Sequence, residues 1–255
     1  MDFFPKAALL IAAGAIAGIM NALAGGGTLL TFPSLLFAGL PAISANATST
    51  VALLMGVGSS IVGYRKELAT QHRWARRFAI PSLLGGIIGA FLLLNTEESH
   101  FRTLVPYLIL FAATLFTFQK QILRLMEIET HTLGHSRYGL ATAMVFQFGV
   151  GIYGGYFGAG IGILMLASLG VLMANENVLE INSVKVTQAF LINVVAAGIF
   201  ITSGKVYWLE AALIATGAGL GGMAGPWIGR RVGPKVVRWF VSVLGFAIGT
   251  LMLLR

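Results

Sequence analysis

The sequence predicts an all-α integral membrane protein of about ten transmembrane helices, built as two inverted five-helix repeats with broken helices at its glycine-rich motifs. Three observations lead there: a composition too apolar for water, ten apolar segments split by one polar stretch, and motifs that recur at a nearly constant offset. Of the 255 residues, 57% are hydrophobic and 10% charged, against about 25% charged in an ordinary globular chain. Mean hydropathy is +0.86. So few charges cannot cover a soluble fold of this size. Lipid tolerates an apolar exterior but requires every backbone group to be satisfied internally, which helices achieve. At about 20 residues per span, ten spans take roughly 200 residues, which leaves short connections and no room for a soluble domain.

The ten segments run roughly 5–24, 27–40, 46–64, 75–95, 102–118, 137–154, 158–174, 184–203, 207–229 and 234–254. Segments two and seven are short and start beside glycine clusters, so broken or re-entrant helices are expected there. The polar stretch Gln119 to Ser136 carries Lys120, Arg124, Glu127, Glu129, His131 and His135. It divides the chain into a first repeat (1–118), a cytoplasmic linker (119–136) and a second repeat (137–255). Lys6 precedes an apolar run that superficially resembles a signal peptide. No small-residue cleavage site leads into a polar region, so the run reads as a retained first helix.

Charge placement sets the expected topology. A net charge of +8 would suggest nucleic-acid binding in a soluble protein. In a membrane protein it reads as cytoplasmic loops rich in Lys and Arg, and no nucleic-acid partner is expected. Arg65, Lys66, Arg73, Arg76 and Arg77 follow segment three; Lys120, Arg124 and Arg137 follow segment five; Arg230, Arg231, Lys235 and Arg238 follow segment nine. These are twelve of the 17 basic residues, and all follow odd-numbered segments. If every segment crosses, the three loops share the cytoplasmic side of a bacterial inner membrane and both termini lie outside. If segments two and seven failed to cross, the loop after segment nine would flip away from the loop after segment three, so the charge rule favours ten crossings.

The halves look related. An offset of 133 lays Gly18-Ile19 on Gly151-Ile152, and Gly25 and Gly27 on Gly158 and Gly160. An offset of 134 pairs Trp74 with Trp208 and Gly85 with Gly219, and one of 136 pairs Asn46 with Asn182. Five crossings per repeat, an odd number, force opposite orientations. Inverted repeats are a transporter architecture with its binding site at the repeat interface.

Candidate chemistry falls in matched clusters. In Asn21 to Pro33, three consecutive glycines each cost a helix about 1 kcal/mol relative to Ala, and Pro33 removes a backbone donor. The break would free N–H groups that an anion can satisfy; equally, the glycines would allow close helix packing. Gly154 to Gly162 occupies the matching place in the second half. It lacks the strand and the later acidic residue of a nucleotide motif. Tyr153 and Tyr156 either line the path or pack at an interface. Asn46, Thr48, Ser49 and Thr50 either cap segment three or orient an oxyanion. Their counterpart, Asn182 to Thr187, adds Lys185 and Gln188, with Asn193 beyond. An ionisable residue such as Lys185 inside a span is usually functional, the alternative being a side chain that snorkels to the interface. His131 and His135 share a helix face but lack a third ligand, so no metal is expected. No cysteine is present, which excludes thiolate metal sites and redox dithiols. No catalytic triad or intramembrane carboxylate pair appears, so an enzyme is not expected.

The stretches NALAGGGTLLTFP, ANATS, GGYFGAGIG and NSVKVTQAFLINVV, followed by GKVYW, GGMAG and RR, occur in order along nearly the whole chain. Together they resemble the sulfite exporter TauE/SafE family, also described as the toluene-sulfonate uptake permeases. The resemblance implies a permease for sulfur-containing anions such as sulfite, sulfonates, sulfoacetate or thiosulfate. It carries over to Asn21, Gly25, Gly26, Gly27, Pro33, Thr48 and Ser49, and to Gly154, Gly155, Gly158, Gly160, Asn182, Lys185 and Asn193. The match departs at Thr28, where many members continue the glycine run. The expected substrate contacts are therefore Asn21, Gly25, Gly26, Gly27, Thr48, Ser49, Gly158, Gly160, Asn182, Lys185, Gln188 and Asn193. The expected mechanism is alternating access without a cofactor. The expected partners are the anion, a coupling ion (proton or sodium), the lipid bilayer and a second copy of the chain. A passive anion channel of the same fold and a non-transporting scaffold are the competing readings.

Overall fold

The computed structural model describes residues 3–23, 25–118, 121, 137–173, 176–232 and 234–254. The linker histidines His131 and His135 lie outside them. Eleven helices form among the described residues: α1 (Phe3–Leu23), α2 (Thr28–Phe37), α3 (Ala42–Gly63), α4 (Arg65–Thr70), α5 (His72–Leu94), α6 (Glu98–Thr117), α7 (Arg137–Tyr156), α8 (Ile161–Leu172), α9 (Val178–Thr202), α10 (Trp208–Val232) and α11 (Pro234–Leu253). Ten correspond to the ten apolar segments. The eleventh, α4, is a six-residue turn within the first basic connection. Five of them, α1, α3, α5, α6 and α9, are long and apolar enough to cross a membrane. At 1.5 Å per residue, the 22 residues of α3 reach about 33 Å, slightly more than the hydrocarbon core. The ten residues of α2 reach only about 15 Å. Segments two and seven thus fold as half-length helices.

Polar contacts fix which element ends lie together. At one end, Lys6 pairs with Glu210 at 2.8 Å, joining the starts of α1 and α10. The Tyr207 N–H donates to Thr48 Oγ1 at 3.0 Å, in the second turn of α3. The Glu98 carboxylate accepts from the N–H groups of Ala42 and Ile43, capping α3 from the start of α6. At the opposite end, Tyr64 donates to the Ala22 carbonyl at 3.2 Å, and Thr70 of α4 donates to Glu180 at 3.0 Å. There α9 opens with a capping box, Asn177 with Glu180.

Segment three starts earlier than its apolar run suggests, at Ala42 rather than residue 46. This overturns the capping alternative for Asn46, Thr48, Ser49 and Thr50. They lie inside α3, whose N-cap is Pro41, and Thr50 Oγ1 donates back to the Asn46 carbonyl. The reason is that Pro41, lacking an N–H, is tolerated where helical bonding begins, and Glu98 supplies the missing acceptor.

The helices meet through glycine. α1 packs along α10, α5 along α7, α10 on α3, α5 on α9, and α6 on α11. A Cβ at Gly18 would overlap the Ala218 carbonyl, and one at Gly221 the Ala15 carbonyl. In the same way, a Cβ at Gly89 would overlap the Ile152 carbonyl and one at Gly155 the Gly86 carbonyl. Small residues let backbones touch where no hydrophobic force holds helices together.

Candidate functional site

Each glycine cluster stops one helix and starts another. α1 ends at Leu23, and the Gly25 N–H returns to the Met20 carbonyl at 2.9 Å. α7 ends at Tyr156, and the Gly158 N–H returns to the Tyr153 carbonyl at 3.1 Å. In both, the returning N–H belongs to a glycine in the left-handed region, Gly25 at φ 77° and Gly158 at φ 79°, a conformation glycine adopts without steric cost. The two breaks touch: a Cβ on Gly25 would stand 2.7 Å from Gly162 Cα. Asn21 reinforces the first break, its Oδ1 accepting from the Gly27 N–H at 2.8 Å.

Between the breaks lies a narrow cavity of about 20 Å³. Its polar wall is Asn21, Thr28, Lys185 and Asn193, and its apolar wall includes Leu53, Val57, Ile161 and Val186. Leu53 and Val57 are halfway along α3, and Gly25, Gly158 and Gly162 contribute backbone. The starts of both short helices face this space, Thr28 for α2 and Ile161 for α8. Neither start carries a side-chain cap. A helix start leaves its first N–H groups without intrahelical acceptors and carries the positive end of the macrodipole. Two such ends converge here. Thr28 and Asn193 make no side-chain hydrogen bond among the described residues, so their polar groups are available to a ligand.

Lys185 is fully buried, 1% exposed. Its Nζ donates to the carbonyls of Leu23 at 3.2 Å and Ala22 at 3.5 Å. It therefore caps the negative end of α1 while lining the cavity. No carboxylate contacts it among the described residues, so the charge is met only by carbonyl dipoles. The arrangement is suited to an anion: one ammonium, two helix starts, and neutral donors opposite an apolar wall.

Of the residues expected at the site, Asn21, Gly25, Gly158, Lys185 and Asn193 line the cavity. The others are engaged elsewhere. Gly26 and Gly27 form the turn into α2. Gly160 is the left-handed N-cap of α8. Thr48 binds the Tyr207 N–H. Ser49 shares a 2.6 Å hydrogen bond with Thr31. Asn182 donates to the Val178 carbonyl at 3.0 Å. Gln188 accepts from Ser82 at 2.9 Å and donates to the Ala75 carbonyl at 2.8 Å. Tyr153 staples its own break, donating to the Ala159 carbonyl at 2.7 Å. The sequence reading missed the apolar wall, and also the buried Gln147, whose Nε2 donates to Ser82 at 2.9 Å. Thr28, noted only as a departure from the motif, lines the cavity.

Comparison with known proteins gives a consistent result. Residues 10–252 match the family model described as sulfite exporter TauE/SafE. A protein of Sinorhizobium sp, described as a probable membrane transporter protein, is 27% identical over 98% of this chain and 93% of its own length. A probable membrane transporter protein of Haemophilus influenzae is 27% identical over 94% of this chain and 91% of its own. One from Bacillus subtilis is 25% identical over 94% and 95%. No solved structure matches the chain.

Proposed function

The chain belongs to the sulfite exporter TauE/SafE family, a family of multi-pass membrane transporters, and on that premise we propose that it carries a small sulfur oxyanion such as sulfite or a sulfonate by alternating access. One observation carries the reading: the cavity where the two breaks meet presents Lys185 and two uncapped helix starts to the same small volume. An oxyanion would take its charge partner from Lys185 and its hydrogen bonds from Asn21 Nδ2, Thr28, Asn193 and the N–H groups at the starts of α2 and α8. Leu53, Val57 and Val186 would face whatever apolar part the anion carries. The site draws on both halves of the chain, so bending at the two glycine breaks would open it to alternate sides.

An inverted repeat is part of this proposal, and the packing supports it. Exchanging α1, α2, α3, α5 and α6 for α7, α8, α9, α10 and α11 turns the α1–α10 contact into α7–α5, and the α10–α3 contact into α5–α9. Gly85 meets Phe148 as Gly221 meets Ala15. In that exchange Gly85 would pair with Gly221, at an offset of 136, rather than with Gly219, where an added Cβ would meet no described neighbour within 4 Å. The polar contacts at the two ends also support alternating directions, with α1 descending from the Glu210 end and α9 rising from the Thr70 end. With basic loops on the cytoplasmic side, both termini would lie outside the inner membrane.

Counterflow in proteoliposomes tests the proposal. Vesicles preloaded with sulfite or a short sulfonate should accumulate labelled substrate faster than empty vesicles. Flux that ignores the trapped anion would mark a passive pore instead.

A further inference from the structure

We infer that the α4–α5 corner binds the headgroup of an anionic phospholipid, independently of the transport site. Arg65 and Lys66 of α4 and Arg73, Arg76 and Arg77 of α5 are all exposed. None of the five makes an ion pair or side-chain hydrogen bond among the described residues. The opposite end differs: Lys6 is paired with Glu210, and Arg102 lies close in sequence to Glu97 and Glu98. The arginines are also placed against their own helix. Arg73, Arg76 and Arg77 share one face at spacings of three and four, where like charges repel. They lie near the start of α5, whose first turn holds no acidic residue and whose dipole disfavours cations. A bound anion would relieve both effects.

The surface below the cluster says which kind of anion. Continuing along α5 from Arg77, the exposed residues on that face are Ile80 (67%), Leu84 (51%), Ile88 (41%) and Phe91 (52%). Trp74 is half-buried at the charged end, with the Arg77 guanidinium 5.2 Å from its ring centroid, a placement typical of the membrane–water interface. A charged head followed by an apolar track matches an amphiphile. A free phosphate would use the arginines and leave the track idle. Clusters of four or more basic residues flanking a span attract anionic lipid; here the adjoining apolar face gives that lipid a defined seat.

Native mass spectrometry of the purified full chain tests this, with phosphatidylglycerol, phosphatidylethanolamine and inorganic phosphate as separate probes. Wild type should retain phosphatidylglycerol over phosphatidylethanolamine, and Arg73→Gln/Arg76→Gln/Arg77→Gln should weaken that retention at least about tenfold. The single change Arg76→Gln serves if the triple variant misfolds, and should weaken retention several-fold. Arg102→Gln/Lys205→Gln at the opposite end should retain the lipid as wild type does. Leu84→Glu should lose it although the arginines remain. Equal retention by the arginine variants overturns the inference. So does displacement of the lipid by equimolar phosphate, which would make this a soluble-anion site.

Discussion

The two breaks are built alike and finished differently. In each, a helix closes on a left-handed glycine through a matched return bond, Gly25 to Met20 and Gly158 to Tyr153. In each, a residue from the opposite half binds the exposed end of the stopped helix. For α7 it is Asn46, whose Nδ2 donates to the Tyr156 carbonyl at 3.0 Å. For α1 it is Lys185, donating to Leu23 and Ala22. Leu23 and Tyr156 stand at the same offset, 133, as Gly25 and Gly158. A neutral amide at one cap and an ammonium at the other is the main chemical difference between the halves. A neutral cap only satisfies carbonyls. A charged one also creates a demand for an anion, which is why the proposed site centres on the first break.

This comparison can be broken at several strengths. The largest effect should come from Gly25→Ala. The left-handed backbone costs an L-residue roughly 1–2 kcal/mol, and the new methyl would meet Gly162 Cα at 2.7 Å. Transport in proteoliposomes should be lost and the melting temperature should fall. Gly158→Ala, whose new methyl would stand 3.1 Å from the Gly154 carbonyl, should be milder. Equal losses in the two would mean that the breaks do not press on each other.

Next comes Lys185→Ala. Removing one partner of a buried ion typically costs about 3–5 kcal/mol, so sulfur-anion affinity on folded protein should drop by about a hundredfold or more. Lys185→Arg should also bind poorly, because a planar fork does not replace a compact ammonium. Wild-type affinity in Lys185→Ala, read by ligand-induced thermal shift, would reduce the lysine to a structural cap. Asn46→Ala is the matched control. It should lower stability by about 0.5–1.5 kcal/mol, the worth of a neutral hydrogen bond, and leave affinity within a few-fold of wild type. A loss of affinity as large as that of Lys185→Ala would erase the distinction between the caps. Smallest of all, Gly149→Ala should be nearly silent, since none of the described residues brings an atom within 4 Å of its added methyl.

Orientation can be checked without disturbing either break. The chain has no native cysteine, so single-cysteine labelling is unambiguous. Glu97→Cys and Lys66→Cys should react from opposite sides of the membrane. Labelling of both from one side would overturn the inverted repeat.

The breaks were legible in the sequence because glycine runs and a helix proline leave few conformations open. Lys185 was legible because a lone cation in an apolar run has few explanations. Thr48, Ser49 and Gln188 looked equally suitable, yet their polar groups go to Tyr207, Thr31 and the Ser82–Ala75 pair. Hydroxyls and amides bind ligand or backbone with the same atoms, and only the fold decides which. The apolar wall was illegible for a different reason. Leu53, Val57 and Val186 differ from dozens of lipid-facing or core residues only in where three helices meet.

The glycine seams have a mechanical consequence. Along α1–α10 and α5–α7, backbone rests on backbone with scarcely a side chain between. Such a seam has no rotamers to readjust, so it cannot yield gradually. Each pair would act as a single beam made from both halves of the chain, and whatever flexing the protein does is left to its two glycine joints.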